Sequence, residues 1–209
     1  YIVYEHFEGM EGKKLLGCWA HARRKFFEAK AENEKLALEA LSYIRRLYDV
    51  EAEADALDAA DNKPDHERRK ALRQEKAYPE IKKFETWMEA SILKCPPKSL
   101  MEAAISYTYK ILKKLSLYVT DGRYKIDDNM VENSIRPLAI GRKNYLFCGD
   151  DDAAQRAAVV YSLLATCKAH GVNERAWLED VLRRIPEYEQ AGKDYADLLP
   201  ANWRALSAK

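Results

Sequence analysis

Residues 40–57 read ALSYIRRLYDVEAEADAL, with apolar positions Ala40, Tyr43, Leu47, Val50, Ala54 and Leu57 recurring at threes and fours. That spacing places them on one face of an α-helix. The same texture continues over residues 32–118. Ala77, Ile81, Phe84 and Met88 form a second stripe, and Leu100, Ala104, Tyr107, Ile111, Leu115 and Tyr118 a third. The breaks fall at Asn62-Lys63-Pro64 and Cys95-Pro96-Pro97, where proline and turn residues interrupt helices. Three long amphipathic helices with short breaks between them are expected to pack as an antiparallel bundle.

Both flanks have a different texture. Residues 1–7 read as the end of a helix, Gly9 and Gly12 as a turn, and 13–19, with the apolar run Leu15-Leu16-Gly17-Cys18-Trp19, as a short strand. Residues 20–30 read as a helix with Phe26 and Ala29 inward and Arg23, Arg24 and Lys25 in its first turns. After the bundle, Asp121-Gly122 signals a turn, Asp127-Asp128-Asn129 offers helix caps, and residues 143–148 (KNYLFC) read as a second strand. Residues 153–170 are apolar almost all round, which predicts a core helix. Gly171 ends it, Asn173 caps a further helix through Arg184, and Pro186 closes that one. The sum is mostly α with a few short strands.

The chain can bury a core, and its 35 basic and 34 acidic residues leave a net charge of +1, so any nucleic-acid contact must come from local patches. Cys18, Cys95, Cys148 and Cys167 are scattered, which fits free thiols in a cytoplasmic protein better than a disulfide scaffold. The most apolar stretch, 157–165, falls far short of the roughly 18–20 residues that span a bilayer, so no membrane segment is expected. The first residue is Tyr1 and the first methionine Met10, which reads as a fragment.

Residues 127–137 read DDNMVENSIRP. A helix starting at Asn129 puts Glu132 in its first turn and Arg136 one turn later on the same face. Asn129 and Glu132 have the spacing of a capping box, and Glu132 and Arg136 that of an ion pair. Alternatively Glu132 is a metal ligand for phosphoryl transfer, and these residues leave both readings open. Arg142 and Lys143, like Arg23, Arg24 and Lys25, suit phosphate contacts or a solvated surface equally. Cys18 with His21 and Cys167 with His170 supply the ligand count of a structural zinc site. The structural-zinc reading is nevertheless rejected, because Cys167 and His170 end an apolar helix, where ordinary structural roles explain them. Asp150-Asp151-Asp152 precedes a helix and reads as capping. With no glycine-rich phosphate loop, nucleophile elbow or zinc-protease motif, nucleotide hydrolysis and serine hydrolysis have no support.

Three ordered motifs, residues 17–26 (GCWAHARRKF), residues 128–137 around Glu132, and residues 141–147 (GRKNYLF), together resemble transposases of the insertion sequence 66 family. Tyr161-Ser162-Leu163, Thr166 and the stretch 177–186 continue the resemblance, which is weak only across the helical block. It implies a partial ribonuclease H-like α/β core interrupted by a helical insertion. Residues 1–31 would belong to the core, 32–119 to the insertion, and 120–209 to the rest of the core with the helix of the catalytic glutamate. It also implies that Glu132 is the third metal-binding carboxylate. The second, an aspartate, would lie about two residues before Tyr1, on the match of Tyr1 and Tyr4 to a Tyr-x-x-Tyr-like segment, and the first further back. Cys18 and His21 resemble a Cys-x-x-His signature of related transposase groups and, with Asp128 and Asn129, are expected to organise the site. The sequence departs from the family at Cys148-Gly149-Asp150-Asp151-Asp152, where a small Gly-Ser-like stretch is usual, and at Cys167, where a small residue is usual.

In the intact enzyme the carboxylate triad would hold two divalent ions, Mg2+, that activate water or a 3′-hydroxyl. This chain alone, with one of the three carboxylates, is not expected to bind them. Element-end and target DNA are the implied partners, contacted by Arg23, Arg24, Lys25, Arg136, Arg142 and Lys143, and a homodimer is allowed. Two alternatives belong to other classes: a non-catalytic DNA-binding or protein-assembly helical module, and a helical interaction protein with no nucleic-acid role.

Overall fold

The computed structural model describes residues 10–144 and 148–206. They form two compact units, one ending at Met130 and one beginning at Val131.

In the first unit, α1 (Trp19–Ala29) is followed by α2 (Glu34–Ala60), α3 (His66–Leu72), α4 (Tyr78–Ile92), α5 (Leu100–Lys110) and α6 (Leu112–Ser116), with a 3-10 turn at Leu117–Thr120. Asn33 and Ser99 cap α2 and α5, their side-chain oxygens accepting from the backbone N–H groups of Leu36 and Glu102. A π-helical turn, Arg73–Ala77, joins α3 to α4. Pro79 explains that irregularity: it has no N–H to offer and its ring crowds the carbonyl four residues back, at Glu75, inside the widened turn.

The expected stripes largely form the core. Ala77, Ile81, Phe84 and Met88 are wholly buried or nearly so, as are Ala40, Leu47, Ala104, Leu115 and Tyr118. Leu57 and Leu100 instead face solvent, while Ile44, Met101 and Ile105 are buried. Phe84 is the hub, with ring centroids 5.3 Å from Tyr43, 5.6 Å from Trp87, 5.7 Å from Phe26 and 6.2 Å from Trp19. Helix α1 packs on α5 and α2, so residues 19–29 share one core with the helical block.

Polar groups lock the far end of this bundle. Arg73, 1% exposed, donates from Nε and Nη2 to the Glu51 carboxylate at 2.7 and 2.6 Å, and from Nη1 to the Tyr118 and Asp121 carbonyls at 2.9 and 2.8 Å. Arg69 donates to the same carboxylate at 3.2 Å and to Asp55 and Asp58 at 2.6 Å each. Gly122 lets the chain pass against α3, because a Cβ there would lie 1.9 Å from the His66 carbonyl oxygen.

The expected α/β core with short strands is not what the structure shows: among the described residues there is no strand and no sheet. An extended run becomes a strand only when a second one pairs with it. Residues 15–18 find helix ends instead. The Gly17 N–H donates to the Lys114 carbonyl at 3.0 Å, and a Gly17 Cβ would sit 2.9 Å from the Leu115 backbone nitrogen. The run is thus pressed onto α6. Of the second expected strand, Lys143 and Asn144 form a turn and Cys148 joins no ladder, while residues 145–147 lie outside the described residues, as does the helix expected over 1–7.

The second unit contains most of α7 (Asn129–Gly141), then α8 (Asp151–Ala169), α9 (Glu174–Ala191), a 3-10 turn at Tyr195–Leu198 and α10 (Pro200–Leu206). Asp150 caps α8 and Asn173 caps α9, as expected, by accepting from the Ala153 and Ala176 N–H groups. The core comprises Cys167, Val172, Trp177, Val181, Tyr188 and Leu198, and Trp177 donates to the Leu198 carbonyl at 2.9 Å. Two expectations fail here. Helix α8 is not a core helix: only Cys167 in it is buried, and Val159 and Val160 are 59% and 49% exposed. It packs against α9 and α10 through Cys167, with Leu163 and Leu164 partly buried beside it, and packing partners, not composition, decide burial. Nor does Pro186 end α9, which runs to Ala191 and stops at Gly192 with φ +60°. The carbonyl deprived of a donor is that of Leu182, on an exposed turn where water can serve it.

Candidate functional site

The start of α1 and the segment leading into α7 are held together by backbone and core. Trp19, fully buried, donates its backbone N–H to the Ile126 carbonyl at 3.1 Å and its indole N–H to the Leu115 carbonyl at 3.0 Å. Cys18 occupies the N-cap position of α1 with extended backbone, and His21 follows one turn later. Residues 126–128 run alongside, so Asp128 meets both. The Cys18, His21 and Asp128 ligand-type atoms all lie within 4.8 Å of one another, and His21 Nδ1 is 3.9 Å from Asp128 Oδ1. That oxygen is buried and makes no conventional hydrogen bond, although 45% of the Asp128 side chain is exposed.

Burial first, and then the Asp128 carboxylate beside it, push the Cys18 thiol up to about 11. The backbone N–H groups of Asp128 and His21 favour the thiolate but do not prevail. Cys18 is therefore a protonated thiol at neutral pH, not an activated nucleophile. Around the trio, Tyr48 donates to Asp127 Oδ2 at 2.8 Å; burial and then this carboxylate raise its phenol well above the usual range. Asp127 also accepts from the Asn129 backbone N–H at 3.2 Å and from its side-chain amide at 2.9 Å, so the Asn129 amide is turned back to Asp127. Lys25 lies 4.7 Å from the Tyr107 ring centroid, and burial, followed by Cys18 and Asp128, raises the Tyr107 phenol.

Of the residues singled out from sequence, the fold gathers Cys18, His21 and Asp128, while the Asn129 side chain bonds to the neighbouring Asp127. Arg23 and Arg24 are exposed on α1, and Lys25 is half-buried beside them. Glu132 is half-buried in the first turn of α7; Arg136 on that helix and Arg142 and Lys143 after it are exposed. Cys167 is wholly buried in the core of the second unit. Sequence reasoning missed Tyr48, Tyr107 and Asp127 as neighbours of the trio. Tyr48 and Asp127 are 79 positions apart, and no local spacing signals such a pairing.

Family comparison agrees with this order of motifs. The model described as Transposase IS66 family matches residues 1–156, and that described as IS66 C-terminal element matches residues 162–201. Among relatives, the uncharacterized protein y4hP of Sinorhizobium fredii is 33% identical over 204 residues, covering 91% of this chain and 35% of the relative. The uncharacterized protein y4qI of the same organism is 37% identical over 193 residues, covering 91% and 34%. This chain thus spans about a third of the length of the curated relatives it matches. No solved structure matches it. With the two family models accounting in order for nearly all of its residues, the chain belongs to the IS66 transposase family.

Proposed function

We propose that this chain is the C-terminal part of a metal-dependent DNA transposase and that, on its own, it contacts DNA without cutting it. The observation that carries the reading is the family match over residues 1–156, a span that takes in the Asp128 to Pro137 motif; on this reading Glu132 serves as a metal-binding carboxylate of the parent enzyme.

The residues present do not fit a pair of divalent ions. Among the described residues, Glu132 belongs to no group of three metal-ligand side chains, and a single carboxylate does not hold two ions. No step of strand cleavage is therefore assigned to this chain. Its contribution is electrostatic: exposed Arg23 and Arg24 on α1, with Lys25, and exposed Arg136, Arg142 and Lys143 offer guanidinium and ammonium groups to backbone phosphates.

Two measurements on the purified chain test this. In a duplex-nicking assay with Mg2+ or Mn2+ no cleavage is expected; robust cleavage abolished by Glu132→Gln contradicts the reading. In a fluorescence-anisotropy titration of labelled duplex, affinity falls as salt rises, with a log–log slope of about −0.9 per phosphate contact. The Arg23→Ala/Arg24→Ala variant lowers that slope by about 2. Binding that is absent, or indifferent to salt, leaves the chain a protein-assembly module.

A further inference from the structure

The function proposed above assigns no step to the cluster at the start of α1, whose donor set suits a metal ion of its own. We propose that Cys18 Sγ, a His21 ring nitrogen and Asp128 Oδ1 together bind one zinc ion, which clamps the first turn of α1 to the segment that leads into α7.

Geometry comes first. Zinc–ligand bonds of about 2.0–2.3 Å at tetrahedral angles put neighbouring donor atoms about 3.4–3.6 Å apart. His21 Nδ1 and Asp128 Oδ1 are already at 3.9 Å, and all three donors fall within 4.8 Å, so rotamer adjustments of a few tenths of an ångström to about 1 Å close the site. Cys18 and His21 are three positions apart at a helix start, which turns both side chains to one face. The third donor arrives from a segment tied to that start by the Trp19 N–H bond to Ile126. Asp128 Oδ1 is buried and makes no hydrogen bond with a nitrogen or oxygen donor; the weak S–H donor of Cys18 beside that carboxylate gives way to a coordinate bond.

Chemistry selects the ion. A thiolate, an imidazole and one carboxylate oxygen suit zinc, whereas Mg2+ and Ca2+ take oxygen ligands almost alone. The cluster is therefore distinct in kind from a carboxylate site for Mg2+. On binding, the Cys18 S–H bond breaks, a zinc–sulfur bond forms and the proton goes to solvent; water completes the fourth position. The spacing by itself is not the argument. Cys167 and His170 share it, yet Cys167 is wholly buried and among the described residues they belong to no such cluster.

The test is a titration of the chelator-stripped 209-residue chain with Co2+, then displacement by Zn2+. One equivalent of Co2+ is expected to give a thiolate-to-cobalt charge-transfer band, which Zn2+ abolishes because it binds such sites more tightly. Cys18→Ser removes the band and Cys167→Ala keeps it. His21→Gln and Asp128→Asn, which retain the thiol and guard against a misfolded serine variant, weaken Zn2+ binding by more than the ~10–100-fold typical of losing an outer-shell partner. The proposal is overturned by the absence of a stoichiometric band, by a band that survives Cys18→Ser, or by His21→Gln and Asp128→Asn variants that bind Zn2+ like the parent.

Discussion

Replacing Glu51 by alanine tests whether the bundle depends on a buried charge network. Glu51 and Arg69 are each 8% exposed and Arg73 is 1% exposed. The Glu51 carboxylate accepts from Arg73 at 2.7 and 2.6 Å and from Arg69 at 3.2 Å. Removing it leaves the Arg73 guanidinium, over the Tyr118 ring, with no carboxylate and with hydrogen bonds to the Tyr118 and Asp121 carbonyls, while Arg69 keeps Asp55 and Asp58. Breaking a buried pair from one side costs about 3–5 kcal/mol, which in a chain of this size lowers the melting temperature by roughly 6–20 °C. Glu51→Gln preserves volume but not charge, so it should lose more than about 1.5 kcal/mol. The double variant Glu51→Leu/Arg73→Met removes both charges and should recover part of the loss. It stays below the parent because the buried Tyr118 carbonyl loses its donor, at about 1–3 kcal/mol. The assay is urea unfolding followed by circular dichroism. Hydrogen exchange across α2 to α4 then assigns the loss to the first unit, since two units need not unfold together. A Glu51→Ala loss below about 1 kcal/mol, or a double variant no better than either single one, refutes the argument.

Gly122→Ala forces a Cβ to within 1.9 Å of the His66 carbonyl oxygen; backbone must move, and a loss of at least about 2 kcal/mol is expected in the same urea assay. Trp19→Phe keeps most of the ring but leaves the Leu115 carbonyl without its 3.0 Å donor, predicting about 1–3 kcal/mol of destabilisation, whereas an unchanged midpoint means water replaces the indole. Hydrogen bonds from Arg69, the Asp65 backbone and Arg68 hold the Asp58 carboxyl well below the usual carboxylate range. A depressed folded-state value contributes stability that is full above the ordinary carboxylate pKa near ~4 and is lost as pH falls through the lower, folded one. Asp58→Asn should therefore be less stable at neutral pH and show a shallower acid limb; superimposable acid limbs rule this out.

Local signals predicted what depends on neighbours along the chain. The proline breaks near residues 62–64 and 95–97 delimit the long helices, and Asn173 and Asp150 cap the helices that follow them. Even Glu51 leaves a trace, as a carboxylate on the stripe that carries Leu47 and Ala54. The same reasoning misjudged residues 15–18 and α8, because whether an apolar run pairs as a strand or a helix lies in a core depends on partners that its own sequence does not name. Pro186 was misjudged for a related reason: an exposed carbonyl can turn to water, so the helix survives its proline.

The sequence by itself determined the helical periods, their caps and breaks, and, through three ordered motifs, the IS66 transposase family. Each of these is written in residues a few positions apart. Only the tertiary structure brought Asp128 to Cys18 and His21, Tyr48 to Asp127, and Glu51 to Arg73. Such contacts arise when helices dock and desolvate particular side chains against one another, and the free energy that selects the pairing belongs to the packed core as a whole.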